Sequence, residues 1–290
     1  MTISIAHLGP PGTYAEQAAM MYSNWLTQFT EEKVFLCPYS TIAQTLHAVS
    51  QGQSSLGVIP VENSIEGVVT VTLDTLWQLD NLRIQLALVM PITHTLISCA
   101  GNLQEIKTVY SHPQALAQCQ KWLESFVPKA QLISSNSTTE ALELLKSDTT
   151  AAAISSQRAA QLRKLPILNT GINDYRENFT RFWVVSQNHQ PNAHRTLKKS
   201  LSYTSLAFSV PANIPGALVK PLQVFANLGI NLSRIQSRPT KRSLGEYLFF
   251  IDLEADSTSA EMDSALAELR NYTEVMKLFG SYDVMPINNF

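Results

Sequence analysis

Cysteine is scarce. Cys37, Cys99 and Cys119 are the only three in 290 residues, and none stands in a CxxC or Cys/His spacing. This leaves no disulfide framework and no zinc motif. The three read as reduced thiols that fill space as small hydrophobes. Charge is also scarce, at 15% of residues with a net charge of -2 and no long basic block. A nucleic-acid or membrane-surface partner is therefore not expected. Apolar runs such as "IQLALVMPI" are too short to cross a bilayer and contain Pro91. The opening "MTISIAHLGP" lacks the basic and apolar regions of a secretory signal, so a cytoplasmic location is expected. Four N-x-S/T matches, among them Asn178-Phe179-Thr180, then carry no meaning as glycosylation sites. There is no GxGxxG or P-loop, no GxSxG elbow and no HExxH. No cofactor and no metal is expected.

What is present is an alternation of strand and helix patterns over the first 187 residues. "ISIAHLG" is an apolar run ending in turn chemistry, and "TYAEQAAMMYSNWL" follows as a helix with Thr13 as N-cap and Glu16 completing a capping box. "KVFLCPY", "SLGVIPVEN", "IKTVYSHP", "AQLISS", "AAAISS", "PILNTGI" and "TRFWVV" read as strands; "IAQTLHAVSQG", "QALAQCQKWLESF", "TTEALELLKS" and "QRAAQLRK" read as helices. "VVTVTLDTLWQL" fits either, because its branched residues suit a strand. "RIQLALVMPITHTLIS" is long enough to cross between two halves of a domain. Repeated βα units predict an α/β fold of two lobes with mostly parallel sheets and a cleft between them. Residues 188–200, within a polar stretch containing Pro191, read as a linker. Residues 201–290 then follow a βαββαβ order, the ferredoxin-like pattern, with one sheet face and often one edge left open for pairing.

Three stretches put polar groups where such folds bind ligands. "GPPGTYAEQAA" is a turn into a capped helix that could hold an anion, or simply a βα turn. "GVIPVENSIEG" delivers Glu62, Asn63 and Ser64, then Glu66, at the carboxyl end of an apolar strand, where loop polarity and helix capping by Asn63 or Ser64 also explain the pattern. "YSHPQALAQC" sets Ser111, His112 and Gln114 at a helix start, where Ser111 or His112 as N-cap and Pro113 at N1 also explain the pattern. A fourth stretch, "ENFTRFWVV", opens a buried strand with an amide, a hydroxyl and a guanidinium: Asn178, Thr180 and Arg181.

With "GALVKPLQVFANLGINLSRIQSRP" further on, these motifs in this order resemble prephenate dehydratase, in the form where a catalytic domain (here 1–187) precedes an ACT regulatory domain (here 201–290). The resemblance runs from Gly9 to about Tyr282, and Thr180-Arg181-Phe182 is its hallmark triplet. It implies a two-lobed, periplasmic-binding-protein-like catalytic domain. It also implies conversion of prephenate to phenylpyruvate, carbon dioxide and water, on the route to phenylalanine. Thr180 matches the family's essential threonine, which would donate a hydrogen bond or proton to the departing ring hydroxyl. A threonine is a weak acid at neutral pH, so an electrostatic donor is expected rather than a lone general acid. Asn178 lies on Thr180's side by strand alternation and could orient that hydroxyl. Arg181 either pairs with a substrate carboxylate or faces away and braces the lobes through Glu62 or Glu66. Thr13, Glu62, Asn63, Ser64, Ser111, Gln114, Gln118 and Phe182 carry over as substrate-binding residues. The ring carboxylate's surroundings should not be strongly cationic, because tight pairing there would resist decarboxylation.

The carboxyl-terminal unit resembles the ACT domain that binds phenylalanine at a dimer interface. Gly216, Ala217, Leu218 and Val219 match one effector-binding segment, and Asn231, Leu232, Gln236, Ser237, Arg238 and Pro239 the other. Two departures stand out: Gln236 replaces the family's usual glutamate, and Pro221 sits where a helix is expected, so that helix must start late or bend. The resemblance implies a homodimer or homotetramer with L-phenylalanine as effector. Arogenate as substrate, and a non-catalytic small-molecule sensor, are the alternatives.

Overall fold

The computed structural model describes residues 2–187 and 202–287, and the expected linker, 188–200, lies outside them. The first lobe contains β1 (Thr2–Leu8), α1 (Tyr14–Leu26), β2 (Lys33–Tyr39), α2 (Ile42–Ser50), β3 (Leu56–Asn63), β4 (Gly67–Val68), α3 (Thr70–Gln78) and β5 (Leu82–Pro91). The second contains β6 (Thr95–Ser98), β7 (Thr108–Ser111), α4 (Pro113–Ala117), α5 (Gln120–Phe126), β8 (Gln131–Ser134), β9 (Ala151–Ser155), α6 (Gln157–Arg163) and β10 (Ile167–Thr170). The chain returns to the first lobe along β11 (Phe179–Gln187). The last unit is β12 (Tyr203–Ser209), α7 (Val219–Asn227), β13 (Leu232–Pro239), β14 (Tyr247–Leu253), α8 (Ala260–Leu269) and β15 (Val275–Pro286).

The expected two-lobed α/β fold is present, but its sheets are mixed rather than mostly parallel. The chain leaves the first lobe on β5 and comes back beside it on β11, so these two strands must run in opposite directions, and β11 is antiparallel to β3 as well. Parallel pairing survives in β1 with β2 and β3, and in β7 with β8 and β9. The branched stretch before Leu79 is helix α3, not a strand. "TTEALELLKS" forms a 3-10 turn over Glu140–Ser147 instead of an α-helix.

The run "QALAQCQKWLESF" breaks into α4 and α5. Asp174 explains why the break is tolerated. Its carboxylate accepts from Lys121 N at 2.9 Å and Trp122 N at 3.0 Å, capping the new helix start, while Gln118 O accepts from Asp174 N at 2.8 Å. The break leaves Gln118 at the end of α4, facing the first lobe.

The capping box at α1 is altered in one respect. Thr13 Oγ1 accepts from Glu16 N, but Glu16 reaches back to Gly12 N at 2.7 Å rather than to Thr13. That carboxylate also takes Arg158 of the second lobe at 3.1 Å, so the helix start doubles as a clasp between the lobes. Ser156 Oγ donating to Gly12 O at 2.7 Å is a second clasp. Gly12 has φ +95°, and a Cβ there would stand 2.9 Å from that of Ala159.

The carboxyl-terminal unit has the sheet order β13-β14-β12-β15. Helices α7 and α8 cover one face, burying Val224, Phe225, Met262, Ala265 and Leu269 against Leu206, Phe208 and Ile251. The other face is not open. Ala207, Phe250 and Phe279 pack into the core of the first lobe with Leu73, Leu76 and Trp183, each large side chain contributing roughly 2 kcal/mol. Strand β15 then leaves its own sheet and pairs in parallel with β5, Asp283–Pro286 against Leu86–Val89, fusing both sheets into one of ten strands. A bulge opposite Ser205 and Leu206 bends β15 at Gly280. Gly280 has φ +140°, and a Cβ there would meet Ile84 O at 2.7 Å.

Candidate active site

Between the lobes lies a cavity of about 550 Å³. Four chain segments at or just before helical turns border it: Thr13–Ala15 at α1, Val69–Val71 at α3, His112–Ala115 at α4, and Asn136–Thr138 before the Glu140–Ser147 turn. These follow the carboxyl ends of strands, where open α/β folds put their ligands. Helix starts offer N–H groups and the positive end of the dipole. None of the described lining residues is Lys or Arg; the titratable side chains are Tyr14, Glu66, His94 and His112.

Strands β3 and β11 set the chemistry. Thr180 pairs with Asn63 and Arg181 with Glu62. Alternation sends Thr180 and Phe182 to the cavity. Asn63 Oδ1 accepts from Ile65 N at 3.1 Å and Glu66 N at 3.0 Å, an Asx turn that fixes which way the amide points. Its Nδ2 therefore faces β11 and donates to Asn178 Oδ1 at 2.7 Å, Thr180 Oγ1 at 3.0 Å and Phe179 O at 3.1 Å. Asn178, fully buried, donates to Gln118 Oε1 at 2.8 Å, and Gln118 Nε2 donates to Glu66 Oε1 at 3.0 Å. Three amides are thus aligned in one direction, from a backbone turn at one end to a carboxylate at the other.

His94 joins this line. Its Nε2 is 2.9 Å from Gln118 Oε1, already an acceptor, so Nε2 carries the proton; Nδ1 then faces the Tyr14 hydroxyl at 3.0 Å. Burial lowers the His94 pKa, outweighing the opposing bond to Gln118, so the ring is neutral at neutral pH. Burial raises that of Tyr14, with a smaller contribution from Cys119, so its hydroxyl stays protonated.

The expected residues divide. Thr13, Asn63, Gln114, Gln118, Thr180 and Phe182 line the cavity, with Asn178 directly behind. Thr13's hydroxyl is spent on Leu8 O and Glu16 N, which leaves it a wall rather than a donor. Four residues lie elsewhere. Ser111 is buried between strands, donating to Ile154 O at 2.7 Å. Ser64 ties the β3 and β11 ends together through Glu177 O and Phe179 N. Arg181 and Glu62 occupy the back of the sheet, because neighbours in a strand face opposite ways. There Arg181 Nη1 lies 3.8 Å from Glu62 and 3.3 Å from Asp252 of the carboxyl-terminal unit. It does not reach the cavity, and Glu66 is not its partner. Asp252 is fully buried and also holds Arg234, at 2.7 and 3.0 Å.

The sequence reading missed Tyr14, His94, Val69–Val71 and Asn136–Thr138. His94 sits alone in an apolar crossing segment and nothing local marks it. Val69–Val71 were hidden by the ambiguous pattern of α3. Among the described residues no group of three or more His, Cys, Asp or Glu could hold a metal ion, and no helix is long and apolar enough to cross a membrane.

The second expected site is split within one chain. Leu232 stands level with Thr204 at the start of β12, whereas Pro239 is level with its end, so Asn231 and Leu232 lie at the far end of the unit from Pro239 and from the Gly216–Val219 turn that follows β12. Gly216 takes φ +79°, and α7 begins late, at Val219, so that Pro221 falls in the first turn, where no N–H is needed. Gln236 Nε2 bonds Ser237 O. Arg238 points to the first lobe, clamping Asp74. β13 is an edge strand.

Residues 5–190 match the family model described as prephenate dehydratase, and 204–271 match that of the ACT domain. The chain is 41% identical over 281 residues to a bifunctional chorismate mutase/prephenate dehydratase of Aquifex aeolicus, covering 97% of this chain and 73% of that protein. It is 35% identical to a prephenate dehydratase of Lactococcus lactis subsp. cremoris, covering 98% and 99%. The crystal structure of a prephenate dehydratase from Arthrobacter aurescens in complex with L-Phe superposes with a TM-score of 0.84 at 33% identity, over 97% of this chain and 90% of that one. A cleft built on Asn63, Asn178 and Thr180, in a chain that matches these relatives over at least 97% of its own length, makes this protein a member of the prephenate dehydratase family.

Proposed function

We propose that the cavity dehydrates and decarboxylates prephenate to phenylpyruvate, and that Thr180 and Asn63 handle the departing hydroxyl. The observation that carries this is the bond from Asn63 Nδ2 to Thr180 Oγ1. A hydroxyl that accepts there keeps its own proton for another partner, and no described protein acceptor takes it. In the reaction the bond between ring and carboxylate breaks, and its electron pair enters the ring. Carbon–oxygen cleavage expels the hydroxyl at the other end, and one proton is taken up to release water. Thr180 would donate a hydrogen bond to that hydroxyl, and Asn63 would stabilise the charge gathering on Oγ1. Asn178 and Gln118 hold Asn63 in line.

A dianion would be held by helix starts and neutral amides, without Lys or Arg. This suits decarboxylation, since a cation on the ring carboxylate would stabilise the ground state. Glu66 favours a second reading: its carboxylate in the cavity would attract the ammonium of arogenate. Purified enzyme offered each substrate separately decides between them; phenylpyruvate from prephenate supports the first reading, and phenylalanine from arogenate alone the second.

The same proposal covers organisation. Residues 1–187 form the catalytic part and 201–290 the regulatory part, in a cytoplasmic homodimer or homotetramer. The distance between Asn231 and Gly216 in one chain favours a phenylalanine site assembled from two copies. Calorimetric titration with phenylalanine, together with its effect on turnover and particle mass, tests this part. No heat and no change in rate would contradict it.

A further inference from the structure

One wall of the cavity is held from outside the catalytic part. Helix α3 faces the cavity with Val69, Thr70 and Val71, and its first turn has no side-chain cap. In its own lobe the helix is tied near this end: Val69 N donates to Val61 O at 2.8 Å, and Thr72 Oγ1 to Pro60 O at 2.6 Å. Its other end packs on its own lobe through Leu76 and is gripped in addition by the carboxyl-terminal unit. Lys277 Nζ donates to the carbonyls of Leu76, Trp77 and Leu79 at 2.9, 2.9 and 3.0 Å, and to Asp80 Oδ1 at 2.9 Å. The Lys277 side chain is only 12% exposed; its ammonium caps the helix carbonyls and opposes the negative end of the dipole. Midway, Asp74 accepts both arms of Arg238 at 2.9 and 2.8 Å and Lys241 at 2.9 Å. Trp77 packs edge-on against Phe250. A helix this short, about 14 Å at 1.5 Å per residue, moves as a rigid piece. Whatever sets its carboxyl end also sets its cavity end.

Resting on the reading of the cavity as the prephenate site, we propose that Lys277, with the Arg238–Asp74 pair, is a positioning residue for substrate binding, acting through α3. Docking alone would need only the apolar contact. Three carbonyls at the helix end, with the Asp80 carboxylate beside them, share the three N–H groups of one ammonium and fix the axial position as well.

The test is steady-state kinetics with prephenate on the full chain, comparing wild type with Lys277→Met and Asp74→Asn. The expected result is a KM raised about tenfold in Lys277→Met and about threefold in Asp74→Asn. The kcat should stay within about twofold, because neither change touches Thr180 or Asn63. Asp74→Asn alone decides if Lys277→Met does not fold. Unchanged KM in the folded variants, whatever happens to kcat or stability, overturns positioning of the cavity wall through α3. Absence of turnover by wild type in the same assay overturns the reading of the cavity itself, and the inference with it.

Discussion

Asn63 donates to Thr180, 3.0 Å from Nδ2 to Oγ1, and the direction of that bond decides what Thr180 can do. An acceptor in its place would take the threonine's proton and leave nothing for the substrate. Asn63→Asp is the sharpest probe. A carboxylate keeps the Asx turn, still accepting from Ile65 N and Glu66 N, but faces Thr180 with an acceptor. The expected kcat falls by about 10²-fold or more, with the fold intact by circular dichroism. Turnover near wild type would mean that the polarity of this contact is irrelevant.

The position of Arg181 leads to a second expectation. Asp252 is shared by Arg181 and Arg234 and also accepts from Ser205 Oγ. Asp252→Asn leaves the buried Arg234 guanidinium without its counter-charge and should cost about 3 kcal/mol or more in urea unfolding. Arg181→Met removes a quarter-exposed partner and should cost about 1 kcal/mol or less. If Arg181 bound substrate, the KM for prephenate would rise steeply in Arg181→Met; it should stay within about twofold.

His94 predicts a pH effect. Its folded pKa lies below the unfolded value of 6.5. Above 6.5 neither state holds the proton. As pH falls through 6.5 the unfolded chain takes up a proton that the folded one resists, so stability drops until the folded value is passed. Buried His7, also lowered by burial, acts in the same direction and window. Thermal unfolding between about pH 7.5 and about pH 5.5 should show wild type losing more stability than His94→Gln, which keeps His7. Equal losses would contradict a neutral, buried His94.

Gln236 predicts the strength of regulation. The family's usual glutamate would bring a negative charge toward an amino-acid ammonium, and Gln236 brings none. Gln236→Glu should tighten phenylalanine binding by about threefold to tenfold in calorimetry. No change would separate this position from the effector.

Much of the site could be read from the sequence because it follows from strand alternation. Asn178, Thr180 and Phe182 share a side and Arg181 takes the other, whichever way the lobes are arranged. Local rules also found the Thr13 cap of α1, and narrowed the α4 cap to Ser111 or His112 and the effect of Pro221 to a late start or a bend; the structure takes His112 and a start at Val219. What escaped depends on partners far along the chain. Gln118 is among the expected residues, but its place in the amide line follows a helix break that Asp174, 56 positions later, caps. The run Val69–Val71 was illegible while α3 could pass for a strand; what makes it a helix is burial of Leu73 and Leu76 against Phe250 and Phe279. The pairing of β15 with β5 has no local signature, since "YDVMPI" specifies a strand but not its neighbour. Ser64 and Ser111 show the opposite limit: polar residues in the expected stretches, taken up by backbone carbonyls.

The most direct measurement is turnover of prephenate by purified Thr180→Ala beside wild type, with unfolding monitored in both. Wild type should form phenylpyruvate, Thr180→Ala should lose activity on the order of 10³-fold, and the two unfolding curves should match. A folded Thr180→Ala protein with near wild-type activity would contradict the role of Thr180.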